Sequence, residues 1–234
     1  LVSKAFPGAR VLRMDADTTK EKNGYEKILA AFSNQEADIL IGTQMIVKGH
    51  DFPNVTLVGV LAADLSLNVG DFHAAERTFD LIAQAVGRAG RGEKAGEALI
   101  QTYRPEHYAI TNAAAQDYLS FYREEIVGRR LLSYPPAAHM LSILSASERE
   151  EDAREGAESI ARLIRLLFPE AALFGPSDAP IAKVRDVYKK VLYLKDTNYG
   201  MLVKVKDAVE GETRDNPLYR RLFVQFDFDP EYGF

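Results

Sequence analysis

Short apolar runs alternate with amphipathic stretches through the first half of the chain. Val11-Leu12-Arg13-Met14 is a brief apolar run closed by Asp15-Ala16-Asp17. Thr18 and Glu21 follow at capping-box spacing, which predicts a helix start there. Tyr25, Ile28, Leu29 and Phe32 then recur at i, i+3, i+4 and i+7, one apolar helical stripe. Residues 38–42 read as a buried strand. Residues 55–61 read as another, nearly all apolar, as expected of a strand covered on both faces. A helix is predicted over 74–87, a strand over 97–101, and a long helical stretch over 105–130 with Ile110, Ala114, Tyr118 and Phe121 on one face. Strands alternating with helices predict a parallel α/β sheet.

The pattern changes after Tyr134-Pro135-Pro136, because prolines cannot continue a helix and push the preceding residue to extended geometry. A domain boundary is expected there, dividing 1–132 from 133–234. The second part reads strand, helix, strand, strand, helix, strand. Residues 140–144 form the first strand, and Ser147 and Glu150 make a second capping box. Ala153, Ala157, Ile160, Ile164, Leu167 and Phe168 line the next helix, and Gly175-Pro176 predicts a turn. Residues 181–195 read as a hairpin bent near Arg185-Asp186. Residues 198–210 read as a helix with Leu202, Val205 and Val209 inward, and 222–228 as a last strand. That order predicts a small α+β domain of the split-βαβ type.

Composition narrows the classes. At 234 residues, 47 % hydrophobic and 27 % charged, the chain has the make-up of an ordinary globular protein. No run approaches the roughly 18 apolar residues of a membrane span. No basic and apolar leader is present. Cysteine is absent, which excludes a disulfide scaffold and cysteine-ligated zinc within these residues. This composition fits a cytoplasmic protein. The four histidines are scattered without metal-ligand spacing, so no metal site is expected. A net charge of −5 denies the whole chain a basic field but leaves room for a local patch. The first residue is Leu1, and the chain is read as a piece of a longer protein.

Two segments carry candidate chemistry. In Gln84-Ala85-Val86-Gly87-Arg88-Ala89-Gly90-Arg91-Gly92, a helix would place Gln84, Arg88 and Arg91 at i, i+4 and i+7 on one stripe. Gly87 and Gly90 clear bulk beside it, and guanidinium groups bind phosphate oxygens bidentately without losing their charge. The competing reading is a polar face fraying at its glycines. The second segment, Ile41 to Pro53, follows a predicted strand. Ligands of open α/β sheets bind beyond the carboxyl ends of strands, where Thr43, Gln44, Lys48, Gly49 and Asp51 would lie; the competing reading is an ordinary loop, with Gly49 for a turn and Asp51 as a cap.

Taken together, Gly42-Thr43-Gln44-Met45, Gly49-His50-Asp51-Phe52-Pro53 and Gln84 to Arg91 resemble motifs V and VI of superfamily 2 helicases. The wording is most similar to the primosomal protein N′ (PriA) family of bacterial replication-restart helicases. Phe6-Pro7-Gly8-Ala9-Arg10, Asp71-Phe72-His73-Ala74-Ala75-Glu76-Arg77, Tyr134-Pro135-Pro136, Gly175-Pro176 with Ala179-Pro180, and the ending Asp227-Phe228-Asp229-Pro230 carry the same likeness. His73 stands where family members often have arginine. No Gly-x4-Gly-Lys-Ser/Thr phosphate loop and no acidic box for magnesium occur in the chain.

The resemblance implies a RecA-like second helicase lobe followed by an S10-like terminal domain. It implies a 3′–5′ ATP-dependent DNA helicase of replication restart and primosome assembly. Arg88 and Arg91 would be its arginine fingers. Gly49, Asp51 and Gln84 would stand at the nucleotide, with Asp51 accepting a ribose hydroxyl. Thr43, Gln44 and Lys48 would face DNA. ATP and magnesium would be completed by residues outside this chain, and zinc is expected upstream. Implied partners are single-stranded and forked DNA, single-strand binding protein and other primosome proteins, in a nucleoid-associated setting. The chain by itself would not hydrolyse ATP. A non-catalytic DNA- or protein-binding module with a motor-like fold is the alternative. Residues 181–195 hold five basic residues against one acid, with Tyr188 among them. Lys183, Lys189 and Lys190 are therefore candidate DNA contacts, unless they protect an edge strand.

Overall fold

The computed structural model describes residues 1–20, 23–46, 52–90 and 95–231. The chain divides into two compact units, 1–69 with 74–121, and 70–73 with 122–234. The division thus falls inside a helix rather than at the prolines.

The first unit contains α1 (Val2–Ala5), β1 (Val11–Met14), α2 (Gly24–Ser33), β2 (Ile39–Gly42), β3 (Leu57–Val60), α3 (Asp64–Leu67), α4 (Ala74–Val86), β4 (Glu97–Ile100), α5 (Tyr108–Ala114) and the start of α6 (Tyr118–Leu131). The strands pair parallel, as the alternation predicts. Among the described residues they form two separate two-stranded sheets, β1 with β2 and β3 with β4, instead of one sheet. Arg10 fastens the first pair. Its backbone N–H and guanidinium both donate to the Asp38 carboxylate, at 2.9 and 2.7 Å. These hydrogen bonds hold Asp38 down to about 2. The core is packed by Phe79, Ile82, Ala109, Ile110, Ala113 and Phe121, with the Phe79 and Phe121 rings stacked 4.3 Å apart.

Three expectations fail in this unit for local reasons. Thr18 does not cap a helix. Its hydroxyl accepts from the Asp15 N–H, and the Asp15 carboxylate accepts from the Asp17 and Thr18 N–H groups, so α2 starts later, after Asn23. The strand over 55–61 is not covered on both faces, because Leu57 and Leu99 of the neighbouring strand are more than half exposed. The helix over 105–130 is two helices, broken at Gln116, which adopts a positive φ. The Gln116 amide then donates to the Ala83 and Ala113 carbonyls, tying the break to the last turns of α4 and α5.

The second unit follows with β5 (His139–Ser147), α7 (Glu150–Leu167), β6 (Ala172–Val184), β7 (Val187–Asp196), α8 (Tyr199–Asp215) and β8 (Phe223–Phe228). Its four strands are antiparallel in the order β6-β7-β5-β8. One face carries Leu141, Ile143, Leu192 and Leu194, packed with Ile160 and Ile164 of α7 and Leu202, Val205 and Val209 of α8, all essentially buried. The inward residues of α8 are those its spacing predicts. The hairpin bends at Arg185 and Asp186, both at positive φ, which matches the right-handed twist of the flanking strands.

Two signals read differently in place. Gly175-Pro176 is a bulge inside β6, since pairing with β7 resumes on both sides. Only glycine suits position 175, whose φ is +95° and where a Cβ would press on the Val191 carbonyl. Ser147 is held as the end of β5 by pairing with Tyr188 and by donating to the Arg221 carbonyl, so α7 begins without a side-chain cap. The terminal Asp229 clamps β8 to β5. Its carboxylate accepts from the Met140 N–H at 2.7 Å and lies 2.9 Å from His139 Nδ1.

Candidate nucleotide and nucleic-acid sites

In the first unit, β2 ends at Gly42 and the chain turns through a short 3-10 segment, Gln44–Ile46. Thr43 and Gln44 are exposed at this carboxyl end. Lys48, Gly49 and Asp51, named with them from the sequence, lie outside the described residues.

The amphipathic helix α4 buries Phe79, Ile82 and Ala85 and ends at Val86. Beyond it the backbone tightens, with the Arg88 and Ala89 N–H groups bonding three residues back to the Ala85 and Val86 carbonyls. The helical stripe expected for Gln84, Arg88 and Arg91 therefore does not continue as α-helix. Gln84 is exposed on the last turn, Arg88 is half-buried in the tightened turn, and Arg91 lies outside the described residues. Gly90 has φ +70° and donates to the Val55 carbonyl, and an added Cβ would strike the Gly96 backbone. The bulk cleared at Gly90 thus admits another stretch of backbone.

Asp64, which the sequence did not single out, is buried where β4 ends. It accepts from Thr102 Oγ1 at 2.8 Å and the Tyr103 N–H at 2.9 Å, and these bonds lower its carboxyl below the ordinary range. Only its tertiary partners distinguish it from a surface aspartate.

In the second unit, alternation along β7 separates the candidate lysines. Lys190 pairs across with Asp178, and Lys183 with Tyr188, on the face that carries the helices. Lys189 stands opposite Ala146 on the other face. Lys190 is only 13 % exposed and contacts Asp178 at 2.5 Å and Glu150 at 3.5 Å. The Asp178 hydrogen bond raises its ammonium above the ordinary value. Lys183 contacts Asp186 at 3.0 Å and lies 4.7 Å from the centre of the Tyr188 ring. Among the described residues, Lys189 has no ion pair or hydrogen-bond partner for its side chain.

Lys195, the last cation of the hairpin, is also engaged. Its ammonium lies 3.3 Å from the Tyr134 ring centre and donates to the Leu132 carbonyl at 3.0 Å. Tyr134 stacks on Phe72 at 4.6 Å, and the nearly buried Arg129 covers Phe72 at 4.8 Å while donating to the Pro135 carbonyl. Tyr134 and Pro135 are thus anchors as well as helix breakers. Burial against this cluster, with Asp71 nearby, raises the Tyr193 phenol. His73 sits in it too, 3.3 Å from the Asp71 carboxylate.

Among the described residues, no group of side chains could hold a metal ion, and no helix is long and apolar enough to cross a membrane.

Comparison with known proteins supplies what isolated geometry does not. Residues 1–93 match the helicase conserved C-terminal domain, and residues 130–231 match the primosomal protein N C-terminal domain. The chain is 46 % identical over 207 residues to the replication restart protein PriA of Bacillus subtilis, a match covering 87 % of this chain and 26 % of that protein. The chain belongs to the PriA family. PriA of Synechocystis is 36 % identical over 230 residues, 98 % of this chain and 27 % of that protein. PriA of Borreliella burgdorferi is 32 % identical over 230 residues, 98 % of this chain and 34 % of that protein. The chain therefore spans about a quarter to a third of the length of these PriA relatives. The helicase-domain match makes the first unit a RecA-like lobe. Among solved structures, the de novo designed protein Foldit4 aligns at a TM-score of 0.33 and 10 % identity, covering 41 % of this chain and 99 % of its own, a likeness too slight to bear on the fold.

Proposed function

We propose that this chain supplies the second motor lobe and the terminal domain of an ATP-driven, 3′–5′ DNA helicase of replication restart. The observation that carries the reading is the pairing of two segments in a helicase C-terminal domain. Thr43 and Gln44 lie exposed at the carboxyl end of β2, and Gln84 and Arg88 lie at the end of α4. ATP with magnesium would supply the phosphoryl group whose transfer drives movement. The chain's own part is to bring Arg88 and Arg91 to that group, where guanidinium charge offsets the charge spreading over the transferred oxygens. Gly49, Asp51 and Gln84 complete the protein side of the nucleotide site. Thr43, Gln44 and Lys48 position the DNA backbone through hydroxyl, amide and ammonium contacts.

The terminal unit is a split-βαβ, S10-like domain that binds single-stranded and forked DNA and docks single-strand binding protein and other primosome proteins in the bacterial cytoplasm. Its support is the β-α-β-β-α-β order and the strand order β6-β7-β5-β8.

The test is turnover. The purified chain, which contains no phosphate loop, should show no DNA-stimulated ATPase activity. In an intact PriA-family protein carrying this sequence, Arg88→Ala should lower kcat by about 10³-fold while DNA binding is kept. Turnover near wild type would remove the arginine from the transition state.

A further inference from the structure

A cleft of about 390 Å³ opens in the second unit where β5 runs into α7. That is within the size range of small-ligand sites, roughly 300–1,000 Å³. Its lining combines three chemistries. Ala146, Val187 and Phe223 give it apolar surface. Phe223 is 63 % exposed, on the edge strand β8, with nothing stacked on its ring among the described residues. Arg149 and Arg221 supply cations, and the Arg221 guanidinium has no ion-pair or hydrogen-bond partner among the described residues. Asp152 supplies an acceptor. Its Oδ2 is buried and accepts no hydrogen bond, and the nearest cation, Arg149 Nε, is 3.9 Å away.

The Asp152 side chain is 23 % exposed, so its carboxylate can still accept from a ligand that brings a donor. An exposed aromatic ring calls for a flat partner, and an unpaired arginine for an anion. The sheet register extends the arrangement. Phe223 and Lys189 both stand directly opposite Ala146, one on each side, so aromatic, small residue and unpaired cation share one rung and one face. An acidic side chain would bring Asp152 only a second acceptor and Phe223 no flat face. A nucleotide meets all three demands together: its base has a flat face and N–H donors, and its phosphates are anionic.

We propose that this cleft seats one nucleotide of single-stranded DNA. The base stacks on Phe223 and donates to Asp152, and the flanking phosphates lie on Arg221 and Lys189. Guanine fits Asp152 best, because its Watson–Crick edge offers adjacent donors to a single carboxylate. The inference rests on the reading of the terminal domain as a DNA-binding unit, and it names the residues that do the binding.

The test is fluorescence-anisotropy titration of the 234-residue chain with labelled thymidine oligonucleotides, with and without one central guanine, at several salt concentrations. Wild type should bind both and prefer the guanine-bearing strand about fivefold or more. Phe223→Ala should weaken binding about 5- to 150-fold, the range of one lost base stack. Phe223→Tyr should restore it, which separates ring stacking from disturbed folding. Arg221→Ala should reduce the slope of log affinity against log salt by about 0.7, one phosphate contact. Asp152→Asn should erase the guanine preference. If all cleft variants bind like wild type while Lys183→Glu binds poorly, the cleft assignment falls and DNA binding stays with the hairpin tip. If wild type binds neither strand at low salt, the cleft assignment and the DNA-binding reading fall together. An acidic peptide that binds at Phe223 where DNA does not would also overturn the proposal.

Discussion

Charge reversal at two adjacent lysines should separate folding from binding. Lys190 holds Asp178 at 2.5 Å and Glu150 at 3.5 Å. Its own side chain is 13 % exposed, but the two carboxylates are 62 % and 59 % exposed, so solvent weakens both attractions. Discounted in this way, each pair is worth about 0.5–1 kcal/mol. Lys190→Glu removes both and sets a third carboxylate beside the other two, each adding about 1 kcal/mol of repulsion at 4 Å in water-like surroundings. The loss is then about 3 kcal/mol at low salt. A unit of this size shifts roughly 4–8 °C per kcal/mol, so Tm should fall by about 12 °C or more. Part of the loss should return at high salt, because the repulsion is screened. Lys189→Glu, on the opposite face and unpaired, should change stability by no more than about 0.5 kcal/mol and weaken DNA binding instead. Thermal melts by circular dichroism at two salt concentrations, beside anisotropy titrations, measure both. If Lys190→Glu melts within about 2 °C of wild type, a shift well below the 3 kcal/mol expectation, the ion pairs do not hold in solution and the separation of the two lysines fails.

Two further outcomes follow from the first unit. The Asp38 carboxyl, held at about 2 by Arg10, should titrate there in a carbon-detected NMR pH series and return to the ordinary range in Arg10→Met. Its folded value is depressed, so its contribution to stability is present above the unfolded carboxylate value, about 3.9, and fades as pH falls toward 2. Gly90→Ala should destabilise the lobe by about 2 kcal/mol or more in urea unfolding, because it forces a side chain into positive φ and onto the Gly96 backbone. An unchanged midpoint would show that the close approach of 90 and 96 is dispensable.

What could be read from sequence follows the range of the forces involved. Periodicity is local, so the inward Leu202, Val205 and Val209 of α8 and the bend at Arg185-Asp186 were legible. Capping boxes are local too, yet both failed, because another partner reached the hydroxyl. Asp15 engages the Thr18 hydroxyl, and the Arg221 carbonyl takes the Ser147 hydroxyl while Ser147 pairs with Tyr188 as the end of β5. Gly175-Pro176 has the composition of a turn, and only the continued pairing of β6 with β7 makes it a bulge. Apolar continuity over 55–61 predicted burial on both faces, but burial needs neighbours, and Leu57 remains exposed. Motif wording located Thr43, Gln44, Gln84 and Arg88 at element ends. It carried no trace of Asp64, Arg129 or the Phe223 cleft, whose parts are brought together by pairing across long stretches of chain.

The basic hairpin shows why a density of charge in sequence is not yet a field in space. Of its five cations, Lys190 and Lys195 are engaged by carboxylates, a carbonyl and an aromatic ring within the fold. Lys183 is shared between Asp186 and Tyr188. Arg185, exposed at the bend, and Lys189, unpaired on the far face, are the two whose charge faces outward without a partner among the described residues. A broad electropositive track for duplex DNA would need many such charges, each releasing a counterion from phosphate. Two of them, with Arg221 beyond the edge strand, fit a short single-stranded stretch in which stacking supplies what the missing charges do not. The outward charge of the hairpin thus has the extent of a few nucleotides, and the exposed Phe223 on the Lys189 rung is where the proposed site has its ring.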